Sequence, residues 1–145
     1  MSVEALSWYS FTSAFTKSVA AVCLEEGAAD LLVAETKEKR ESVWDLRRSI
    51  GEAVKKISSY RELDCVVPRA HLPELMDAIR ETTARHGLTA ISYGHAGDGN
   101  IHVNVLKRDM DPARWKAVLP AATRDLFERV LALGGTITGE HGVGY

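Results

Sequence analysis

Between Thr89 and Leu106 the chain changes its hydrophobic period from about four residues to two, around the tetrapeptide Gly97-Asp98-Gly99-Asn100. Alternation at every second residue marks a strand with one covered face. Gly, Asp and Asn accept the torsions of a tight connection. The segment therefore reads as an antiparallel hairpin, with Thr89 to His95 facing Ile101 to Leu106. A two-stranded hairpin is not stable in water unless other elements cover its apolar face, so the rest of the chain must supply a second layer.

That layer is helical. A helix pattern runs from about Val3 to Glu26 and stops at Gly27. Thr36 can cap a long charged helix to about Ile57, with Val43, Leu46, Ile50, Val54 and Ile57 at three- and four-residue steps. Leu72 to Arg85 forms a third helix, with Leu72, Leu75, Met76 and Ile79 on one side and Gly87 as its stop. Asp111-Pro112 opens a fourth, which runs to about Leu133 and ends at Gly134-Gly135. Leu31 to Ala34 and Cys65 to Val67 are further strand candidates. Four helices interleaved with at least four short strands predict an α+β fold, an antiparallel sheet with helices packed on one face. At 145 residues there is room for one domain with a sizeable core, and no repeat or linker divides it.

Several partner classes are excluded. A net charge of −2 gives no reason to expect nucleic acid or an anionic membrane surface. No run of eighteen apolar residues exists to span a bilayer. The start, MSVEALSWYSFTSAF, has neither the basic opening nor the apolar block of a secretory signal. The two cysteines, Cys23 and Cys65, form no CxxC motif and read as two buried thiols in a reducing cytoplasm. His71 and His86 fall in no motif and read as solvent-facing.

The hairpin also carries candidate ligands. With a Gly97–Asn100 loop, Ala96 pairs with Ile101 and His95 with His102, their Cβ atoms about 4.5–5.5 Å apart on one face. Asn104 shares that face, while Ile101, Val103 and Val105 take the core side. Downstream, Glu140 and His141 stand between Gly139 and Gly142, where glycine lets a ligand approach the backbone closely. Two histidines and a carboxylate suit zinc or another divalent transition metal with open positions for substrate. On the residues alone, a structural histidine pair and a surface loop with an ordinary ion pair remain open as alternatives.

Tyr93-Gly-His-Ala-Gly-Asp-Gly-Asn-Ile-His-Val-Asn104, followed by Gly134-Gly-Thr-Ile-Thr-Gly-Glu-His-Gly-Val-Gly144, closely resembles the C-terminal domain of the FAD-linked oxidases. That group includes the flavin subunit of glycolate oxidase, D-lactate dehydrogenases and D-2-hydroxyglutarate dehydrogenase. Weaker similarity runs through Trp44-Asp-Leu-Arg-Arg48 and Asp64-Cys-Val-Val-Pro-Arg69. The resemblance implies a ferredoxin-like sheet. It implies His95, His102 and Glu140 as metal ligands, with zinc, iron or manganese as the metal. It implies His141 as catalytic base, with His141 and Gly142 beside the flavin. Arg47 matches a residue that binds the substrate carboxylate, and Asn104 a polar residue near metal and substrate. Arg61 is the nearest match to a basic residue that precedes the strand in relatives. Gly51 stands where some hydroxyglutarate enzymes carry threonine, a departure that speaks against that substrate.

The reaction implied is oxidation of a small D-2-hydroxy acid, of glycolate or D-lactate type, by hydride transfer to FAD. FAD would be held mainly by an N-terminal domain of the same enzyme. Residues 1–145 are then expected to be an incomplete C-terminal domain, without that FAD-binding domain or the closing C-terminal tail, and inactive alone. No dinucleotide loop substitutes: Gly94, Gly97 and Gly99 lie in a hairpin rather than between a strand and a helix. Two other classes compete. One is a stand-alone divalent-metal hydrolase, though no HExxH helix is present. The other is a non-catalytic fragment that self-associates, as a homodimer, through an apolar face.

Overall fold

A computed structural model describes residues 14–142. By its contacts the chain divides into two compact units, Met1–Arg48 and Ser49–Tyr145.

In the first unit, α1 spans Ala14–Glu25; the earlier part of the expected helix, from Val3, lies outside the described residues. Gly27 closes it with φ +90°, and its amide donates to the Leu24 carbonyl at 3.1 Å. Helix α2, Lys37–Ile57, begins here and continues past the boundary. Thr36 caps it as expected, its Oγ1 accepting from the Lys39 amide at 3.2 Å. Of the anticipated apolar stripe only Val54 is buried and Ile50 half-buried; Val43, Leu46 and Ile57 are exposed. The expected strand at Leu31–Ala34 does not form. A strand exists by its ladder, and these residues have no ladder partner among the described residues, with Leu32 83% exposed.

The second unit holds the sheet. Strands β1 (Tyr60–Val66), β2 (Thr89–His95) and β3 (Asn100–Leu106) pair antiparallel in the order β1-β3-β2. Helix α3, Leu72–Arg85, joins β1 to β2, and α4, Pro112–Ala132, follows β3. After α4 the chain returns to the free side of β1 and makes one antiparallel bridge, Thr136 to Val66. The result is a β-α-β-β-α-β order with the last strand reduced to a bridge, the ferredoxin-like arrangement. The fold is thus α+β.

Strand alternation sorts the sheet into two faces. Leu63 and Cys65 of β1 and Ile101, Val103 and Val105 of β3 join Leu75, Ala78 and Ile79 of α3 and Ala122, Leu126 and Val130 of α4 in one buried cluster. Each such fully buried aliphatic side chain contributes about 1.5–3 kcal/mol. Asp111 fixes the start of α4 by accepting from the Ala113 and Arg114 amides, both at 3.0 Å. The glycine pair at its end has two jobs. Gly134 takes φ +74°, and Gly135 lies so close to β1 that a Cβ would meet the Val66 carbonyl oxygen at 2.2 Å.

Two side-chain expectations change. His86 is not solvent-facing: its Nε2 is 2.8 Å from Asp125 Oδ2, with the side chain 19% exposed. His71 is solvent-facing as expected, its side chain 45% exposed beside Glu74 at 3.4 Å. Cys23 is only partly buried, whereas Cys65 is fully buried. Among the described residues no helix is long and apolar enough to cross a membrane.

Burial, reinforced by the adjacent Asp64 charge, pushes the Cys65 thiol up to about 12. A thiolate is the reactive form. Titration with 5,5′-dithiobis(2-nitrobenzoate) at pH 8 should therefore modify Cys23 in the native chain and both cysteines in denaturant. Modification of Cys65 under native conditions would show that the core opens on the timescale of the assay.

Candidate metal and substrate site

The sheet face opposite the helices is polar where a solvent-covered face would need no burial. Asn100, His102 and Asn104 alternate along β3, and all three are buried. Register places three rungs across this face. Glu62 and Ile91 flank Asn104, Asp64 and Tyr93 flank His102, and Val66 and His95 flank Asn100.

The hairpin register therefore differs from the expected one. His95 pairs with Asn100, and His102 with Tyr93. The connection is a 3-10 turn, Ala96–Asp98, closed by Gly99 at φ +75°, whose amide donates to the Ala96 carbonyl at 3.2 Å. Asn100 leaves the loop and enters β3, where its Nδ2 donates to Asp64 Oδ1 at 2.9 Å. Gly99 is wedged against the chain after β1: a Cβ there would lie 2.0 Å from the Val67 carbonyl oxygen. The shift is by two residues, so parity is kept and His95 and His102 still share a face. They are diagonal neighbours, with ring centroids 5.7 Å apart and planes at 83°.

Asp64 brings the second motif to this face. Its Oδ2 accepts three consecutive backbone amides, from Gly139 at 2.8 Å, Glu140 at 2.5 Å and His141 at 2.9 Å. Burial would raise the Asp64 pKa. The amides of Glu140 and His141, the Asn100 side-chain amide and the Gly139 amide outweigh it and hold the carboxyl well below the usual carboxylate range. Gly139 is required for the approach, because a Cβ would come within 2.2 Å of Asn100 Nδ2 and 2.7 Å of a Val66 methyl.

Held this way, Glu140 becomes the point on which three imidazoles converge. His95 Nε2 lies 3.9 Å from Glu140 Oε1, and both His102 Nε2 and His141 Nε2 lie 3.9 Å from Glu140 Oε2. These separations are too long for hydrogen bonds. In a tetrahedral site, donors bound at about 2.0–2.2 Å stand about 3.3–3.6 Å apart. One ligand atom each from His95, His102 and Glu140 falls within 4.8 Å of the others, so the trio would have to draw in by up to about 1.5 Å to hold one cation. The trio also has two half-exposed members and one buried one, which leaves open positions on the solvent side.

The back of His102 fits the same arrangement. Its Nδ1 is buried and makes no hydrogen bond as placed, yet it faces Asp64 Oδ1 at 3.4 Å and Glu62 Oε1 at 3.5 Å. Two carboxylates behind Nδ1 favour the Nδ1–H tautomer of the neutral ring, which leaves the Nε2 lone pair free for an ion. A second trio, Glu62, His102 and His141, is equally compact. It would have to bind through that same Nδ1, where the carboxylates call for a proton, so the first trio is the better cation site.

The remaining expected residues fall as follows. His141 stacks on His102, centroids 5.1 Å apart, with its side chain 50% exposed. Gly142 follows at φ +66°, and both border a recess of about 80 Å3 floored by Glu62 and Asp64. Asn104 is fully buried, its Nδ2 donating to the Ile91 carbonyl at 3.4 Å. Arg47 belongs to the first unit, with its guanidinium 5.3 Å from the Trp44 ring. Arg61 alternates with Glu62 and so takes the Leu63–Cys65 side of β1; it lines the same recess as His141 and Gly142 and also borders an apolar groove of about 580 Å3 along α4. Asp64 and Glu62 were not picked out from sequence. The signal was present in Arg61-Glu62-Leu63-Asp64-Cys65, two acids alternating with the core residues Leu63 and Cys65.

Because the folded Asp64 pKa lies below the unfolded value of about 3.9, its contribution to stability is fully present above that value. It is lost as pH falls below it towards the folded pKa. Asp64→Asn should cost about 3 kcal/mol in urea unfolding near pH 7, and the gap from wild type should narrow progressively as pH falls below about 4. A gap unchanged in acid would mean that the loop is held by something other than the carboxylate charge.

Comparison with known proteins gives one consistent answer. Residues 12–145 match the family described as FAD linked oxidases, C-terminal domain. The chain is 33% identical over 125 residues to a D-lactate dehydrogenase of Anaerostipes hadrus, covering 86% of this chain and 26% of that protein. It is 33% identical over 129 residues to the glycolate oxidase subunit GlcD of Bacillus subtilis, covering 88% and 27%. It is 30% identical over 126 residues to a D-2-hydroxyglutarate dehydrogenase of Stutzerimonas stutzeri, covering 84% and 27%. The chain thus spans about a quarter of the length of these relatives. With the fold, the two motifs and the family match in agreement, the chain belongs to the FAD-linked oxidases, and it corresponds to their C-terminal domain.

Proposed function

We propose that this chain is the substrate- and metal-binding part of a flavin-dependent dehydrogenase that oxidises a small D-2-hydroxy acid, of glycolate or D-lactate type, to the 2-oxo acid. The observation that carries the reading is the convergence of the His95, His102 and His141 Nε2 atoms on the Glu140 carboxylate, each at 3.9 Å.

His95, His102 and Glu140 would hold a divalent cation, zinc being the best suited to two imidazoles and a carboxylate, with iron or manganese compatible. Such a cation, when bound, polarises a coordinated hydroxyl and lowers its pKa. A 2-hydroxy acid offers a hydroxyl and a carboxylate oxygen on adjacent carbons, a bidentate fit to the open side of that trio. His141 is the group to receive the hydroxyl proton at Nε2, since this atom faces the same carboxylate as the ligands. FAD, when its own domain is present, would supply the two-electron acceptor for the hydride of the α-carbon, while His141 would take the hydroxyl proton. His141 and Gly142 form the edge of the chain nearest that exchange, and the exposed face of His141 needs the flavin domain to exclude water. Arg47 would clamp the substrate carboxylate bidentately, and Asn104 would line the pocket; both assignments come from the matched motifs.

Zinc titration of the chain by equilibrium dialysis should give one tight equivalent, lost in the His95→Ala/His102→Ala double variant. Mixed with a separately prepared FAD-binding domain, the zinc-loaded chain should support flavin bleaching by D-lactate or glycolate. His141→Ala should lower the bleaching rate by about 100-fold or more while zinc binding persists. If neither acid reduces the flavin although zinc is bound, the dehydrogenase reading is wrong.

A further inference from the structure

Glu62 has no assigned role in the reading above, yet it lies on the polar face beside both His102 and His141. The β1 alternation turns it to the same side as Asp64, and it lies level with Asn104 on β3. Its Oε1 is 3.3 Å from His141 Nδ1 and 3.5 Å from His102 Nδ1. The two rings are stacked at 25°. Their Nδ1 edges therefore face Glu62 while their Nε2 edges face Glu140, at 3.9 Å each.

A neutral imidazole carries one N–H, and the hydrogen bond at one nitrogen decides which nitrogen keeps the lone pair. For His102 the matter is doubly settled, because Asp64 Oδ1 also faces Nδ1 at 3.4 Å. For His141 the nearer carboxylate is Glu62, and the more distant Glu140 is the one a cation would occupy. His141 is half-exposed on a glycine-flanked loop, so packing alone does not fix its ring. A small rotation converts the 3.3 Å contact into a hydrogen bond in which Nδ1–H donates to Glu62.

We propose that Glu62 is a positioning residue of this site: it accepts the Nδ1–H of His141, fixes that tautomer and ring orientation, and so keeps the Nε2 lone pair turned to the open side of the Glu140 cluster. The proposal rests on His141 acting as the base, as proposed above. Its chemistry is proton-neutral: one hydrogen bond orders the ring, and the proton taken from substrate arrives at the opposite nitrogen.

The test is long-range 1H–15N NMR of the zinc-loaded full chain at pH 8, with the His141 signals assigned by their loss in His141→Ala. Wild type should show His141 as the Nδ1–H tautomer. Glu62→Ala should move it toward the Nε2–H form, and Glu62→Gln should restore the wild-type tautomer, because the amide oxygen still accepts. Zinc stoichiometry should stay at one equivalent in both variants, since Asp64 continues to back His102, and this also reports that they fold. In the mixture with the FAD-binding domain, Glu62→Ala should lower the flavin-reduction rate about 10- to 100-fold with little change in KM, and Glu62→Gln should recover most of it. A His141 tautomer unaffected by Glu62→Ala overturns the proposal whatever the flavin does. Loss of the Nδ1–H form in Glu62→Ala supports it even if no hydroxy acid reduces the flavin, in which case it is the dehydrogenase reading that fails.

Discussion

One carboxylate holds this site together. Asp64 is buried and ionised, a state that is costly unless every oxygen is answered. Here Oδ2 takes three successive amides of the Gly139–His141 turn and Oδ1 takes the Asn100 side chain. Those bonds join β1, β3 and a loop 75 to 77 residues away in sequence. Glu140 and His141 are both exposed, and apart from the stacking of His141 on His102 little packing of their own side chains sets their positions. Their placement beside His95 and His102 depends on the backbone hydrogen bonds to Asp64, and those depend on glycine at 139.

The central strand explains why such a clamp is needed. β3 is buried along its whole length, although three of its 7 residues are polar. One face completes the core between the sheet and helices α3 and α4. The other carries Asn100, His102 and Asn104. Asn100 Oδ1, His102 Nδ1 and Asn104 Oδ1 are buried without hydrogen-bond partners among the described residues. Folded proteins leave few such atoms, and here three lie in a row on one face of the central strand. The residues are retained against their desolvation cost because β3 gains its stability from the opposite face and from ladders on both sides.

Much of this was legible from residue order. The helix starts at Thr36 and Asp111 followed from capping chemistry, and the strand Thr89–His95 and helix Leu72–Arg85 from period and punctuation. Misreadings arose where local signals ran out. Leu31–Ala34 has the composition of a strand but no neighbour to pair with among the described residues, and pairing is decided by the whole sheet. The hairpin register moved by two because Asn100, a turn former by composition, gains more from its bond to Asp64 inside β3 than from a place in the loop. His86 looked like a surface residue until α4 brought Asp125 to it.

The sequence by itself determined which residues could do the chemistry. Alternation puts His95, His102 and Asn104 on one face under either register, because a two-residue slip preserves parity. It also determined the α+β class, through helical and strand periods that leave few ways to cover one apolar sheet face. Only the tertiary structure decided that Glu140 meets those histidines, and that Asp64 and Glu62 stand behind them. Those contacts join residues 38 to 79 positions apart, and no local period encodes them: they arise when β1 and β3 pair and the chain after α4 folds back along β1.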